Sequence, residues 1–295
     1  MRKLHYRRRF RRNDFFHEWM AGRALRRRTP DFSRERPMVS IIGDFVSDEI
    51  RAEQIYERDT LEFLRDRVLD LTSAAQSAAI DVGANIGNHS LFLSDLFGQV
   101  LAFEPNPLAR ALLRLNVEMN GITNVEVRPV GLSDRNGTAT LEFDPLNLGA
   151  ASTRELRAMR SIARRSTIDL MIGDEAVDAA LKIGFIKIDV EGAEEAVLRG
   201  LEQTLRTHAP VVMMEQWPEV IDRAGTSPSV SFLRELGYSM REIQRAPLFR
   251  GQLGKIPSLL LGHIDYSLQP ISRLENREYP ALIFTPPSYV FPQRS

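Results

Sequence analysis

A chain of 295 residues with 43% hydrophobic and 26% charged side chains has the composition of an ordinary globular protein, long enough for one large α/β domain with appendages. It contains no cysteine, which excludes disulfides, thiolate nucleophiles and cysteine-bound metals. A formal net charge of zero hides an asymmetry: residues 1–36 hold 13 Lys and Arg against 4 Asp and Glu, a net of +9 that the remaining chain balances with −9.

The basic arm comes first. Arg7-Arg8-Arg9 and Arg26-Arg27-Arg28 are its densest clusters, with Phe10, Phe15, Phe16, Trp19 and Leu25 interleaved. Such an arm is either a solvated segment packed on the acidic body through its aromatics, or a peripheral contact for anionic lipid, polyanionic saccharide or nucleic acid phosphates. No apolar run approaches the roughly 20 residues that span a bilayer, and no secretory-type apolar leader opens the chain, so a soluble, cytoplasmic protein is expected. Contact with an anionic membrane through residues 1–36 stays open. The expected organisation is a basic arm over 1–38 and one domain over 39–295, with its core at 76–243 and an insertion at 244–280.

After Pro37, Val39 to Val46 reads as a strand or edge hairpin, and the apolar spacing from Glu49 to Leu71 suits one or two helices covering a sheet. Strand-like and helix-like runs then alternate, which argues for a mostly parallel sheet with helices on both faces. Ala78 to Val82 is the first core strand, and Asn88 to Phe97 the helix after it. Val100 to Phe103 is the second strand. Asn106 as N-cap, Pro107 at the first helical position and Gly121 as a stop predict a helix from Pro107 to Met119.

Val125 to Val130 is the third strand, Gly131 to Gly137 a turn and Thr138 to Phe143 an extra strand. A polar stretch from Asp144 to Ser166 carries Arg154, Arg157, Arg160, Arg164 and Arg165, and is either an exposed helix or a loop reaching over the site. Ile183 to Val190, Val211 to Gln216, Tyr238 to Ile243 and Ala281 to Phe284 supply the remaining strands, with helices at Ala193 to Leu205 and around Ser231 to Leu236. The insertion, with Ile256-Pro257-Ser258-Leu259-Leu260-Leu261, is expected to form part of a lid or acceptor wall.

The stretch Asp81-Val82-Gly83-Ala84-Asn85-Ile86-Gly87 joins the first strand to its helix, a place where backbone N–H groups approach a nucleotide-like ligand. The second strand ends in Glu104-Pro105, roughly 20 residues on, where a carboxylate would hold a ribose diol. The glycine spacing is G-x-x-x-G rather than G-x-G-x-x-G, which disfavours a pyrophosphate ligand. A nucleoside with an amino-acid tail, S-adenosyl-L-methionine, fits better.

Ile80 to Ser90, Phe103-Glu104-Pro105 and Ile186-Lys187-Ile188-Asp189-Val190-Glu191-Gly192-Ala193-Glu194 together resemble FkbM-type S-adenosylmethionine-dependent methyltransferases, over roughly Gly43 to Pro286. The resemblance implies a Rossmann-like class I methyltransferase fold, with a seven-stranded, mostly parallel sheet whose last strand runs antiparallel. It also implies methyl transfer to a hydroxyl oxygen, often of a saccharide or polyketide-type product. The donor would meet Asp81, Gly83, Ala84, Asn85, Gly87, Glu104 and Pro105, with Gly131, Leu132 and Ser133 walling the adenine.

A hydroxyl is a poor nucleophile until a base takes its proton. Asp189, at the end of the fourth strand, is the first candidate, an N-cap role being the alternative. Glu191 either orients the acceptor or complements a helix dipole. Glu215, at the tip of the fifth strand, is a further rim acid, and His89 is either a base or a packed histidine. These acids have the oxygen-rich chemistry of a Mg²⁺ site, but their spacing demands no metal and none is expected. Lys187, inside an apolar strand, needs a carboxylate partner or access to the rim. Tyr56 and Glu57 resemble an aromatic-acid pair near the acceptor.

The expected activity is therefore O-methyl transfer to a hydroxyl of a saccharide, glycolipid or secondary metabolite. The alternatives are a nicotinamide-dependent oxidoreductase and a non-catalytic surface-binding protein using the arm. No Asn/Asp-Pro-Pro-aromatic run follows the fourth strand, which disfavours methylation of nucleic acid bases.

Overall fold

Alternation of short apolar strands with amphipathic helices builds one large sheet. A computed structural model of the chain describes residues 36–41, 46, 49–50, 55–144, 147–152, 164–245 and 266–292. Contacts divide the chain into two units. One, Met1–Glu35 with Arg245–Ser267, enters the described residues only through Arg245, Tyr266 and Ser267. The other, Arg36–Gln244 with Leu268–Ser295, is the body described below.

The body opens with α1 (Arg58–Phe63), a π-helical turn (Leu64–Val68) and α2 (Leu71–Ala74), which Asp70 caps by accepting from the Thr72 amide. Then come β1 (Ala78–Val82), α3 (Asn88–Leu93), β2 (Gln99–Phe103), α4 (Pro107–Met119) and β3 (Val125–Arg128). The α4 bounds match the expectation because its signals are local: the Asn106 side chain accepts from the Leu108 amide and Pro107 fills the first turn.

β4 (Gly131–Ser133), β5 (Gly137–Asp144), β6 (Asn147–Ser152) and β7 (Arg164–Ile172) form a separate four-stranded sheet in the order β4-β7-β5-β6. After α5 (Gly173–Ala176), β8 (Ile183–Ile188) returns to the main sheet. It is followed by α6 (Glu194–Gly200), α7 (Glu202–His208), β9 (Val211–Gln216), α8 (Pro228–Glu235), β10 (Ser239–Arg245), β11 (Tyr266–Pro270) and β12 (Tyr279–Thr285).

The main sheet has the order β11-β10-β12-β9-β8-β1-β2-β3. Pairings from β3 through β9 are parallel, and β12 lies antiparallel between β9 and β10. This is the expected class I methyltransferase arrangement, with β11 added at one edge.

Strand alternation divides the core between the two faces. Ala78, Ile80 and Val82 pack with Val197, Leu198, Leu201 and Leu233 on one side, while Ala79 packs with Leu64, Val68, Leu93 and Phe185 on the other. Because the parallel strands share a direction, the C-terminal ends of β1, β2, β8 and β9 meet at one rim.

Four expectations need correction. Val39 to Ile41 is not a strand: it has no regular structure, and the Asn116 side chain holds it by accepting from the Val39 amide (2.7 Å) and donating to its carbonyl (3.1 Å). The segment at 131–137 is not wholly a turn, since Gly131–Ser133 pairs with β7. The helix expected from Ala193 to Leu205 is two helices that meet at Gly200 and Leu201. There Gly200 packs so tightly that a Cβ would stand 1.9 Å from the Ser133 carbonyl oxygen. The polar stretch after Asp144 contains β6, and Arg164 and Arg165 open β7 rather than a helix. The remaining arginines of that stretch, the basic arm up to Glu35 and Ile256 to Leu261 lie outside the described residues.

Candidate active site

The rim opens into a cavity of about 330 Å³. Its floor is the turn after β1. Gly83 (φ 76°) and Asn85 (φ 49°) take left-handed backbone, and the Gly83 and Ala84 amides donate to the Phe103 carbonyl at 3.0 and 3.1 Å. A Cβ on Gly83 would lie 1.8 Å from the Asp189 carbonyl oxygen, so only glycine lets the loop after β8 close down here.

Glu104, buried at the end of β2, receives the Asn85 and Asn106 amides at 2.7 Å each, one on each carboxylate oxygen. Burial pushes its carboxyl up to about 7, against the pull of those two amides. Gly83, Ala84, Asn85, Glu104, Pro105, Gly131 and Leu132 all line the cavity. An S-adenosylmethionine fits this donor set: each Glu104 oxygen accepts one amide and keeps a lone pair that would take a ribose hydroxyl, and Leu141, Ile168 and Leu170 of the second sheet give an apolar wall.

Three residues expected at the donor stand behind the cavity instead. Asp81 is fully buried, accepts from the Ser90 hydroxyl at 2.6 Å and faces Lys187 across the β1–β8 register. Gly87 serves packing, since a Cβ there would lie 2.4 Å from Leu113 Cδ1. The Ser133 hydroxyl donates to Asp134 at 3.2 Å. None of the three lines the cavity.

The opposite wall is acidic. Lys187 donates to the Gly83 carbonyl at 2.9 Å and has Asp81 and Asp189 carboxylate oxygens at 3.4 Å. Burial opposes its charge, but the carboxylates of Asp189 and Asp81 outweigh that and hold the ammonium above the ordinary lysine range. Burial also works against ionisation of Asp189; Lys187, a hydrogen bond from Glu215 and the nearby His89 together hold it below the usual carboxylate range.

Glu215 is pushed the other way. Burial, the Asp189 charge and the shared hydrogen bond raise its carboxyl well above the usual carboxylate range. The Trp217 indole donates to Glu215 at 3.2 Å. Glu191 has left-handed backbone (φ 52°), and burial followed by the charges of Asp189, Glu194 and Glu278 raises it to about 8.

Asp189, Glu191 and Glu215 each bring one carboxylate oxygen within 4.8 Å of the others. Such a triad has the oxygen chemistry of a hard divalent cation site, but the Lys187 ammonium already supplies a cation to Asp189.

His89, the remaining candidate, is buried against the cavity with Nε2 3.2 Å from Glu57 Oε2. Next to it, the Asn88 side chain accepts from the Tyr56 amide (2.9 Å) and donates to the Tyr56 carbonyl (3.0 Å). Burial and the carboxylates of Glu57, Asp189, Glu49 and Glu215 hold the Tyr56 phenol well above its ordinary value, so it keeps its proton. Sequence reasoning noted Tyr56 but missed Asn88, Trp217 and Glu278, all of which line the cavity. Asn88 and Trp217 adjoin recognised motifs, whereas Glu278 has no local signal.

A parallel sheet that ends in this donor pocket, with one strand inserted antiparallel, defines a class I methyltransferase. The profile of the "Methyltransferase FkbM domain" matches residues 81–240, and the chain belongs to that family. It is 29% identical over 220 residues to "Methyltransferase sdnD" of Sordaria araneosa, covering 63% of this chain and 82% of that protein. It is 35% identical over 129 residues to "Hexuronic acid methyltransferase AglP" of Haloferax volcanii, 43% of this chain and 51% of that protein. It is 27% identical over 213 residues to "31-O-demethyl-FK506 methyltransferase FkbM" of Streptomyces tacrolimicus, 62% of this chain and 70% of that protein. Family membership replaces the oxidoreductase and binding-protein alternatives with methyl transfer.

Proposed function

We infer that this chain is an S-adenosylmethionine-dependent O-methyltransferase acting on a hydroxyl of a saccharide, glycolipid or secondary metabolite. The observation that carries the reading is the pairing of two environments in one cavity, a buried carboxylate suited to a ribose diol and, across from it, the Asp189 carboxylate held against the Lys187 ammonium. Gly83, Ala84, Asn85, Glu104, Pro105, Gly131 and Leu132 would hold the donor. The donor, when bound, supplies a methyl group on a sulfonium, which needs no activation by the protein.

The chain must then position the acceptor and take its proton. Lys187 keeps Asp189 ionised at neutral pH. A weakly basic carboxylate suffices, because the acceptor O–H becomes strongly acidic as its oxygen gains a carbon bond. A hydrogen bond from Glu215 steadies the Asp189 charge, while Glu57 orients His89 beside the same cavity. The relative named for a 31-O-demethyl acceptor supports oxygen as the methylated atom, and the relative named for hexuronic acid supports a saccharide acceptor.

Calorimetric titration with S-adenosylhomocysteine and with NADH tests the donor, followed by labelled-methyl transfer to a panel of glycans and lipid-linked sugars. Binding of S-adenosylhomocysteine alone and label on an acceptor oxygen are expected. Binding of NADH alone would sink the reading.

A further inference from the structure

A second, smaller cavity lies against the first. It measures about 20 Å³, and Tyr56, His89, Lys187, Asp189 and Glu215 line both, so these side chains stand between the two. Glu57 lines the small chamber alone. Such a volume exceeds the roughly 10–15 Å³ that one water molecule requires and is far too small for a donor or an acceptor. Its polar walls supply the hydrogen-bond partners that a buried water needs.

Glu57 precedes α1, where an acid would ordinarily accept from the free amides of the first turn. Its side chain makes no such cap bond, and its backbone is left-handed (φ 56°), a conformation that a non-glycine residue holds only when its surroundings impose it. Asn88 grips both backbone groups of Tyr56, and Glu49 accepts the Glu57 amide at 2.9 Å. The outcome is a carboxylate delivered to His89 Nε2 at 3.2 Å. A carboxylate only accepts, so Nε2 carries the ring proton and Nδ1 is left to take another. Among the described residues no other hydrogen bond engages the ring.

Methyl transfer forms the C–O bond, returns the S–C electron pair to sulfur and leaves the acceptor's proton on Asp189. With the Lys187 ammonium 3.4 Å away that proton is poorly held, and it must depart before the next turnover. We propose that His89 is its outlet: a water seated in the small chamber takes the proton from Asp189 and passes one of its own to Nδ1, and Glu57 holds the resulting imidazolium. Glu57, the more exposed of the pair at 16% against 8%, is the side that meets solvent. The inference rests on the methyltransferase reading with Asp189 as base, and adds the path by which its proton leaves.

Two measurements on the full chain test it. A crystal structure with S-adenosylhomocysteine should place an ordered water within about 3.2 Å of both Asp189 and His89, and a chamber without one overturns the proposal. Labelled-methyl transfer to whichever glycan of the panel accepts label should show kcat lower by roughly 10-fold or more in His89→Ala and in His89→Gln, with KM for S-adenosylmethionine within a few-fold, because the ring acts after donor binding. Added imidazole should restore part of the loss in His89→Ala, where it can take the ring's place, and none in His89→Gln.

Unchanged kcat, or a loss that imidazole leaves untouched, makes the ring a packing element and overturns the proposal. Protein that binds S-adenosylhomocysteine but labels nothing would sink the acceptor reading instead, and the ordered water would still decide whether the chamber couples Asp189 to His89.

Discussion

Glu104 and Asp189 are two acids at strand ends given opposite character by their surroundings. Burial raises Glu104 to about 7, so its protonated form is favoured in the fold. Its contribution to stability is therefore present at low pH and is lost as pH rises through about 7. A ribose diol donates to the ionised carboxylate, so donor binding should reverse that trend. S-adenosylhomocysteine should accordingly raise the melting temperature more at pH 8 than at pH 6, and Glu104→Gln should flatten the difference and weaken affinity by roughly 10–100-fold. A thermal-shift series across pH decides it; equal shifts at both pH values in the native protein would remove Glu104 from the donor site. Asp189, held ionised by Lys187, carries a different expectation. Asp189→Asn should cut turnover by about 10²–10⁴ with donor affinity within a few-fold, because its role begins only as the acceptor oxygen is methylated. Steady-state kinetics beside calorimetry would expose the reverse pattern.

The turn after β1 and the loop after β8 act as one element, since their backbones touch where Gly83 lacks a side chain. Gly83→Ala would drive a Cβ into the Asp189 carbonyl oxygen from a left-handed backbone, and both strain terms act on the folded state. The expected result is a melting temperature lower by on the order of 5–10 °C and no measurable S-adenosylhomocysteine binding. Calorimetry showing native affinity would mean that the two loops separate freely. Local chemistry made this element legible in advance, as it did α4: the glycines, the Asn106 cap and the acid ending β2 all act within a few residues of their own sequence. The split between α6 and α7 is not legible in the segment alone: it falls beside Gly200, where the Ser133 carbonyl of a distant strand leaves no room for a Cβ. Asp81 shows the same dependence on distant chain: its motif position points to the donor, but the β1–β8 register sets it against Lys187, a residue that needs a carboxylate partner inside an apolar strand.

At the scale of the whole molecule, the site is an assembly of ends: β1, β2, β8 and β9 deliver their C-terminal residues, and β12 delivers the residue before its first. Periodicity announced those strands, but which side chains would face one another depended on register, so the meeting of Glu278 with Glu191 and Glu215 had no signature in any one segment. Every described residue lining the cavity falls between Val46 and Glu278, all within Arg36–Gln244 and Leu268–Ser295. The start of that unit is fastened to it. Arg36 pairs with Asp95 at 2.5 Å and donates to the Leu91 carbonyl at 2.9 Å, and Asn116 grips Val39 through both backbone groups. Those contacts hold Arg36 and Val39 on the body, so a chain beginning at Arg36 should keep S-adenosylhomocysteine affinity within about threefold of the full chain, a difference near the limit of additivity between independent sites. Calorimetry on the two chains is the measurement. A truncated chain that folds yet no longer binds would show that residues 1–35 belong to the donor site, whereas retained binding with altered acceptor turnover would assign them to the acceptor's approach.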